Sequence, residues 1–210
     1  MRAFSRLGIV IILLFVSNTF AMPLSNGLGF EIGMGQNNLF WSTKKNMETI
    51  GTGPMDRTQL WLTPNFRLTY EIPLLSRFSD RLFTGYTKFG GKSENSYSED
   101  RYAFKAIEMG SLFLAGFKKV HLGAGLKTNR HLSVDYKYTG SGDSFSEARS
   151  DWFKKWSYDA GACVTYPFSH FHISIESWFG LTDLCDLGSY KNKDGWIHEN
   201  HYRVMLGYAF

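Results

Sequence analysis

Residues 201–210 read His-Tyr-Arg-Val-Met-Leu-Gly-Tyr-Ala-Phe. The large apolar residues fall on every second position: Tyr202, Val204, Leu206, Tyr208 and Phe210. The intervening set includes His201, Arg203, Gly207 and Ala209. A period of two sends alternate side chains to opposite faces of a strand, so this segment predicts a β-strand with one large apolar face.

The same rhythm recurs upstream. Leu28, Phe30, Ile32 and Met34 alternate with Gly29, Glu31, Gly33 and Gly35. Phe66, Leu68, Tyr70 and Ile72 alternate with Asn65, Arg67, Thr69 and Glu71. A third strand sets Phe83, Gly85, Thr87 and Phe89 against Thr84, Tyr86 and Lys88, and its apolar face is ambiguous. A fourth, over about 105–117, sets Ile107, Met109, Phe113 and Phe117 against Glu108, Gly110 and Gly116, with Leu112 and Leu114 blurring the division. Later strands set Val120 to Leu126 against His121 and Lys127, Tyr158 to Tyr166 against Asp159 and Cys163, and Phe171 to Phe179 against His172, Ser174 and Glu176. With the terminal segment, the count is eight.

The connections alternate in length. Residues 36–58, 91–103, 129–152 and 182–198 are long and polar, whereas 74–80, Lys118-Lys119 and Pro167–His170 are short. An even strand number with short turns at one end and long loops at the other is the pattern of small outer-membrane barrels. The expected fold is therefore all-β, an eight-stranded antiparallel up-and-down transmembrane β-barrel. Composition agrees, with 17% aromatic residues and 21 Gly against 5 Pro.

The first residues read as an export signal. Arg2 and Arg6 precede an apolar run from Leu7 to Val16, and small residues at Thr19 and Ala21 suit cleavage after Ala21. The expected division is a signal peptide over 1–21 and a barrel domain over 22–210. Formal charge is +4, or about +2 without Arg2 and Arg6, and the charges are interspersed. A nucleic-acid partner would require a clustered basic face, and none is present.

A soluble barrel shows the same alternation with its apolar face inward. Three features favour the opposite arrangement. Ionisable residues share the face opposite the apolar one: Glu31, Arg67, Glu71, Lys88, Glu108, Lys127, Asp159, Glu176 and Arg203. Glycines share that face and make room in a narrow lumen. Trp41, Trp61, Trp152, Trp156 and Trp196 lie beside the long connections, where an outer aromatic girdle would sit.

The closing strand, Tyr202 to Phe210, resembles the C-terminal assembly signal of outer-membrane barrels. That implies contact with the barrel-assembly machinery during insertion, and outer-membrane lipid as solvent. More narrowly, Pro64-Asn65-Phe66-Arg67-Leu68-Thr69-Tyr70-Glu71-Ile72-Pro73 and Phe179-Gly180-Leu181-Thr182-Asp183-Leu184 resemble the small outer-membrane β-barrel family of Bacteroidota, the PorT-like barrels. Most of that family has no assigned chemistry.

His172, Ser174 and Glu176 share one strand face, and such a trio suggests acyl transfer. It is similar to the His-x-Ser of barrel-type lipid A deacylases. Its lumen-facing parity and its place near a short turn argue instead for a structural hydrogen-bond role, and no enzyme is expected. His198 and His201, with Asp183, Asp186 or Glu199, are the nearest approach to a metal set, and the expectation is no metal and no cofactor. Centring the sixth–seventh hairpin at 168–169 pairs Cys163 with about residue 174. Cys185 then lies roughly 35 Å away at ~3.3 Å per residue, too far for a disulfide. The expected function is a plugged barrel with a structural or surface-interaction role through four long loops, including Asn95-Ser96-Tyr97 and Tyr136-Lys137-Tyr138. A narrow channel for water or small ions stands second, and a lipid A acyl hydrolase third.

Overall fold

Alternating segments of aromatic and β-branched residues satisfy their backbone only by pairing, and here they pair into one antiparallel sheet. The computed structural model describes residues 27–43, 62–94, 97–140, 142–148, 150–184 and 195–210. The nine strands are β1 (Gly27–Thr43), β2 (Leu62–Leu75), β3 (Phe78–Glu94), β4 (Ser98–Phe117), β5 (Val120–Gly140), β6 (Ser144–Ala148), β7 (Trp156–Phe168), β8 (Phe171–Gly180) and β9 (Gly195–Ala209). Consecutive strands pair from β1 to β5, β7 pairs with both β5 and β8, β8 pairs with β9, and β9 pairs with β1. The fold is thus all-β, a single antiparallel sheet. The expected signal peptide lies outside the described residues, as do Trp61, Cys185 and Asp186.

The eight expected strands are present, and the ninth, β6, folds back on the far end of β5. It lies within 129–152, which the sequence reading treats as loop. That reading also places 91–103 in a loop. In the structure β3 runs to Glu94 and β4 begins at Ser98, and the two pair along their whole lengths. These polar stretches remain strand because Tyr102, Phe104, Val134 and Tyr136 pack together on the buried face.

A β-bulge allows that packing. The β4–β5 register shifts between Lys105 and Ala106, which pair with Ser133 and His131, leaving Leu132 as the extra residue on β5. Before the shift Lys127 and Asn129 are buried; after it Val134 and Tyr136 are. An extra residue reverses strand parity, so the bulge keeps β5 facing inward with a different set of residues. Alternation read from a single strand does not anticipate that switch.

At the other end the turns are tight. Lys118 and Ser169 have φ of 53° and 59°, as two-residue hairpins with right-handed strand twist require. The β7–β8 turn centres one residue later than expected, so Cys163 pairs with Glu176 rather than with about 174. The difference is two residues, so both faces keep their identity. Cys163 is a free, buried thiol.

The faces are inverted relative to a soluble sheet. Val204 is 54% exposed while its neighbour Arg203 is 1% exposed. Leu28, Ile32, Phe66, Leu68, Tyr70, Phe113, Val164, Ile175 and Leu206 are likewise exposed. The ambiguous strands are now assigned. On β3, Phe83, Thr87 and Phe89 are buried, and Leu82 and Tyr86 are exposed. On β4, Leu112 and Leu114 are buried, and Ile107, Met109 and Phe113 are exposed.

Small residues permit the tight interior. A Cβ at Gly161 would collide with the Trp178 indole, and one at Gly207 with the His172 imidazole. Gly161→Val is expected to lower the stability of the folded chain in lipid by ~1–3 kcal/mol through overpacking. Ala162→Val, on the exposed face, is expected to change it by less than ~0.5 kcal/mol. Urea unfolding midpoints of the two variants distinguish these outcomes.

Candidate functional site

Charged side chains on a buried strand face must find partners or leave the interior, because an unpaired buried charge costs several kcal/mol. Here they find partners across the sheet. Arg203 on β9 donates Nη1 and Nη2 to the two oxygens of Glu108 on β4, both at 2.8 Å. In sheet order these strands are four apart, roughly 19 Å in a flat sheet at ~4.8 Å per strand. The sheet therefore curls until opposite walls touch. Lys127 on β5 adds a third donor to Glu108 at 3.2 Å.

A second group gathers toward the short turns. Arg67 bonds both Glu31 and Glu176. Arg81 reaches Glu31 at 2.9 Å and Glu71 at 3.0 Å, and Ser79 donates to Glu71 at 2.7 Å. His172 Nε2 lies 2.6 Å from Glu31 Oε1. Between the two groups sits an apolar cluster of Phe83, Leu112, Leu114, Cys163 and Trp178. Its aromatics face cations: Arg67 lies 4.5 Å over Phe83, and Lys127 lies 5.3 Å from the Trp178 ring. The Trp178 indole donates to Glu176 at 2.8 Å, connecting the cluster to the second group.

Toward the long connections the interior is apolar again. Leu39, Phe89, Tyr102, Phe104, Val134, Tyr136, Phe153, Leu184 and Ile197 form one buried cluster. Phe89 stacks on Phe104 at 4.8 Å, and Phe153 meets Phe104 edge-on at 4.9 Å. This cluster forms the buried face at that end of the sheet.

Eight of the nine residues expected on the charged face are buried there: Glu31, Arg67, Glu71, Glu108, Lys127, Asp159, Glu176 and Arg203. Lys88 differs. It is half-buried and shares parity with exposed Thr84 and Tyr86, because β3 turns Thr87 and Phe89 inward. Arg81 is a member that the sequence reading missed, and Glu199, named there only as a possible ligand beside His198 and His201, is another. Arg81 shares the parity of Phe83 two residues earlier, which was the available signal, but 74–80 reads as a connection and hides the start of β3.

Of the tryptophans, Trp156 is exposed and faces Arg130 at 5.9 Å. Trp152 instead packs against the apolar cluster. The side chains of Trp41 and Trp196 lie outside the described set. Tyr202, Val204, Leu206 and Phe210 are exposed, and Tyr208 is half-buried among the rings of Phe30, Phe171 and Phe210. A hollow of about 490 Å³ opens beside Ala162, Ser177 and Tyr202 and is lined mostly by apolar atoms.

His172, Ser174 and Glu176 do not assemble into a catalytic trio. Ser174 Oγ lies 2.7 Å from Thr165 Oγ1, His172 is held by Glu31, and Glu176 is held by Arg67 and Trp178. No catalytic site is evident among the described residues. The residues weighed as a metal set also separate in part: His198 Nδ1 meets the Gly180 carbonyl at 2.7 Å, and Asp183 accepts from the Ile197 amide at 2.9 Å. His201 and Glu199 do come together, with Asp159 as a third member.

No family model matches the sequence, and no curated protein does. Among solved structures the chain is similar to the attachment invasion locus protein Ail of Yersinia pestis, solved with the heparin analogue sucrose octasulfate. The two are 16% identical over 89% of this chain and 100% of that one, with a TM-score of 0.46. It is similar also to Neisserial surface protein A, at 9% identity over 86% of this chain and 97% of that one, with a TM-score of 0.49. The N-terminal β-barrel domain of Pseudomonas aeruginosa OprF gives 10% identity over 87% and 97%, with a TM-score of 0.38.

Glu108→Gln removes the carboxylate that holds Arg203 and is expected to destabilise the chain by ~3–5 kcal/mol. Joint replacement of Glu108 and Arg203 by Met should recover most of that loss, since a buried pair exchanged for apolar side chains is often close to neutral. Urea unfolding in lipid vesicles reads both.

Proposed function

We propose that this chain is an integral outer-membrane protein, a β-barrel of eight strands closed by the β1–β9 and β4–β5 pairings, with a filled lumen and a structural or surface-interaction role. The carrying observation is the inversion of burial: charged side chains pair inside, while leucines, valines and aromatics stand exposed outside. Water does not tolerate an apolar belt of that extent, whereas lipid requires one. Lipid also requires every backbone group to be paired, which a ring of strands satisfies. In this reading residues 1–21 direct export and the closing strand Tyr202–Phe210 is the segment taken up by the assembly machinery. The stretches Pro64–Pro73 and Phe179–Leu184 favour a PorT-like relative within the small barrels.

The strands are longer than a bilayer needs. A spanning strand takes about 9–11 residues, and β4 and β5 have 20 and 21. On β4 the exposed apolar row ends at Ile107, and the next outward residue, Lys105, pairs with Asp135 at 2.9 Å. We place the outer membrane boundary there. The remaining length of β4, β5 and β6 then stands outside as a rigid platform, with Phe145 exposed and packed against Tyr136 and Tyr138. A rigid scaffold carrying exposed aromatics suits a surface partner.

The filled lumen speaks against the channel reading. In planar bilayers the purified protein is expected to give no solute-sized conductance steps; regular steps of that size would overturn the plugged-lumen reading. Val164→Arg, in the middle of the exposed belt, is expected to cost ~2–4 kcal/mol in vesicles, the penalty for a cation at the bilayer midplane. An unchanged unfolding midpoint for that variant would contradict the membrane reading.

A further inference from the structure

The buried charges do not balance. Among the described residues six carboxylates are buried, Glu31, Glu71, Glu108, Asp159, Glu176 and Glu199, against four cations, Arg67, Arg81, Lys127 and Arg203. Near the short turns, Arg67, Arg81 and the His172 imidazole, 2.6 Å from Glu31, meet three carboxylates. In the other group Glu108 takes Arg203 and shares Lys127, whose Nζ also lies 3.1 Å from Asp159 Oδ2. Glu199 is met by neutral donors. Asn129 Nδ2 donates to Glu199 Oε1 at 2.9 Å, and Ser157 Oγ donates to the same oxygen at 2.8 Å. Asp159 and Glu199 are thus left with one shared cation, Lys127, and otherwise neutral donors.

The same place holds polar atoms without partners. Asp159 Oδ1, Glu199 Oε2 and both ring nitrogens of His201 make no hydrogen bond within the protein. Asp159 and His201 are fully buried and Glu199 is 1% exposed. One donor atom from each of the three lies within 4.8 Å of the others. His201 Nε2 and Glu199 Oε2 approach to 3.3 Å. Two ligands of a tetrahedral ion at bond lengths of ~2.0–2.2 Å are separated by about 3.3–3.5 Å. That edge is already formed, and the Asp159 carboxylate lies within 4.8 Å of both other groups.

The surroundings hold the carboxylates in the orientation a metal requires. Asn129 and Ser157 occupy the second oxygen of Glu199, while Asn129, at 3.0 Å, and Lys127 occupy the second oxygen of Asp159. The remaining oxygens are left for the cluster, and such supporting hydrogen bonds are typical around metal ligands. A proton shared by Asp159 and Glu199 would remove one charge but would not draw the imidazole and both carboxylates to one point. A divalent ion engages all three side chains at once.

We propose that Asp159, Glu199 and His201 form an intramural binding site for a first-row divalent transition-metal ion of the Zn²⁺ class. The imidazole selects this class over Mg²⁺ and Ca²⁺, which take oxygen ligands. The apolar plug lies directly above, with the Phe89 ring 4.8 Å from the His201 ring. Access is therefore easier during folding than afterwards, and the ion links β7 to β9 on the inner wall.

The test refolds the full mature chain into detergent micelles with Zn²⁺, passes it over chelating resin, and measures bound metal by elemental analysis. Wild type is expected to retain one Zn²⁺ per chain, and His201→Ala none. In chelator competition His201→Ala is expected to bind roughly 100-fold or more weakly, and Asn129→Ala to lose ~10–100-fold as a supporting residue. Gel mobility with and without heating verifies that each variant folds. Where a variant does not fold, the wild type loaded with Co²⁺ decides: visible ligand-field bands of an imidazole–carboxylate site support the proposal. Metal-free wild type after the resin, absent Co²⁺ bands, or equal retention by folded His201→Ala would overturn it and leave a shared proton as the neutralising device.

Discussion

The bond pair between Arg203 and Glu108 spans opposite walls, and the remaining interior is arranged around contacts of this kind. A charge placed on every fourth or sixth residue of a strand has two places to go. Outward, it would enter the apolar belt; inward, it meets its complement on a neighbouring strand, as Lys127 does at Glu108, or across the sheet, as Arg203 does. Pairing across the sheet is possible only when the sheet curls, so the charge pattern and the curvature are one constraint. The cross-links connect β9 with β4, β2 with β8, and β1 with β3 and β8. No pair of neighbouring strands could satisfy them alone.

The interior is not uniformly polar, and its apolar parts have a physical role. Trp178 and Phe83 separate the two charged groups and offer ring faces to Lys127 and Arg67. Excluding water there strengthens each ion pair and raises the cost of leaving one unmet. The Phe89–Phe104–Phe153 stack then ends the polar column. Glycine at 161 and 207 leaves space for an indole and an imidazole that larger residues would displace.

Much of this was legible in the sequence, because period-two alternation is a strong signal when one face is wholly apolar. The closing strand, with Tyr202, Val204, Leu206 and Phe210, reads correctly on its own. Signals failed where both faces carried similar residues. Leu112 and Leu114 look like part of the apolar belt, but they pack inward against Trp178. Lys88 looks like a lumen charge, but Thr87 and Phe89 take the inward positions. The stretch 129–152 is polar and the bulge at Leu132 reverses parity within β5, so Val134 and Tyr136 read as loop residues although they belong to the buried apolar cluster. The cluster of Asp159, Glu199 and His201 draws on β7 and β9, and no spacing within one strand reveals it. Of that set, only His201 and Glu199 could be suspected from their two-residue separation.

The central claim is that the apolar face meets lipid and the charged face does not. Spin labels at Val204→Cys and Met205→Cys, in a chain with Cys163 and Cys185 replaced by Ala and reconstituted in vesicles, test it directly. Collision with dissolved oxygen should dominate over collision with a water-soluble nickel chelate at position 204, and position 205 should be shielded from both. Free access of the nickel chelate to position 204 would contradict the account.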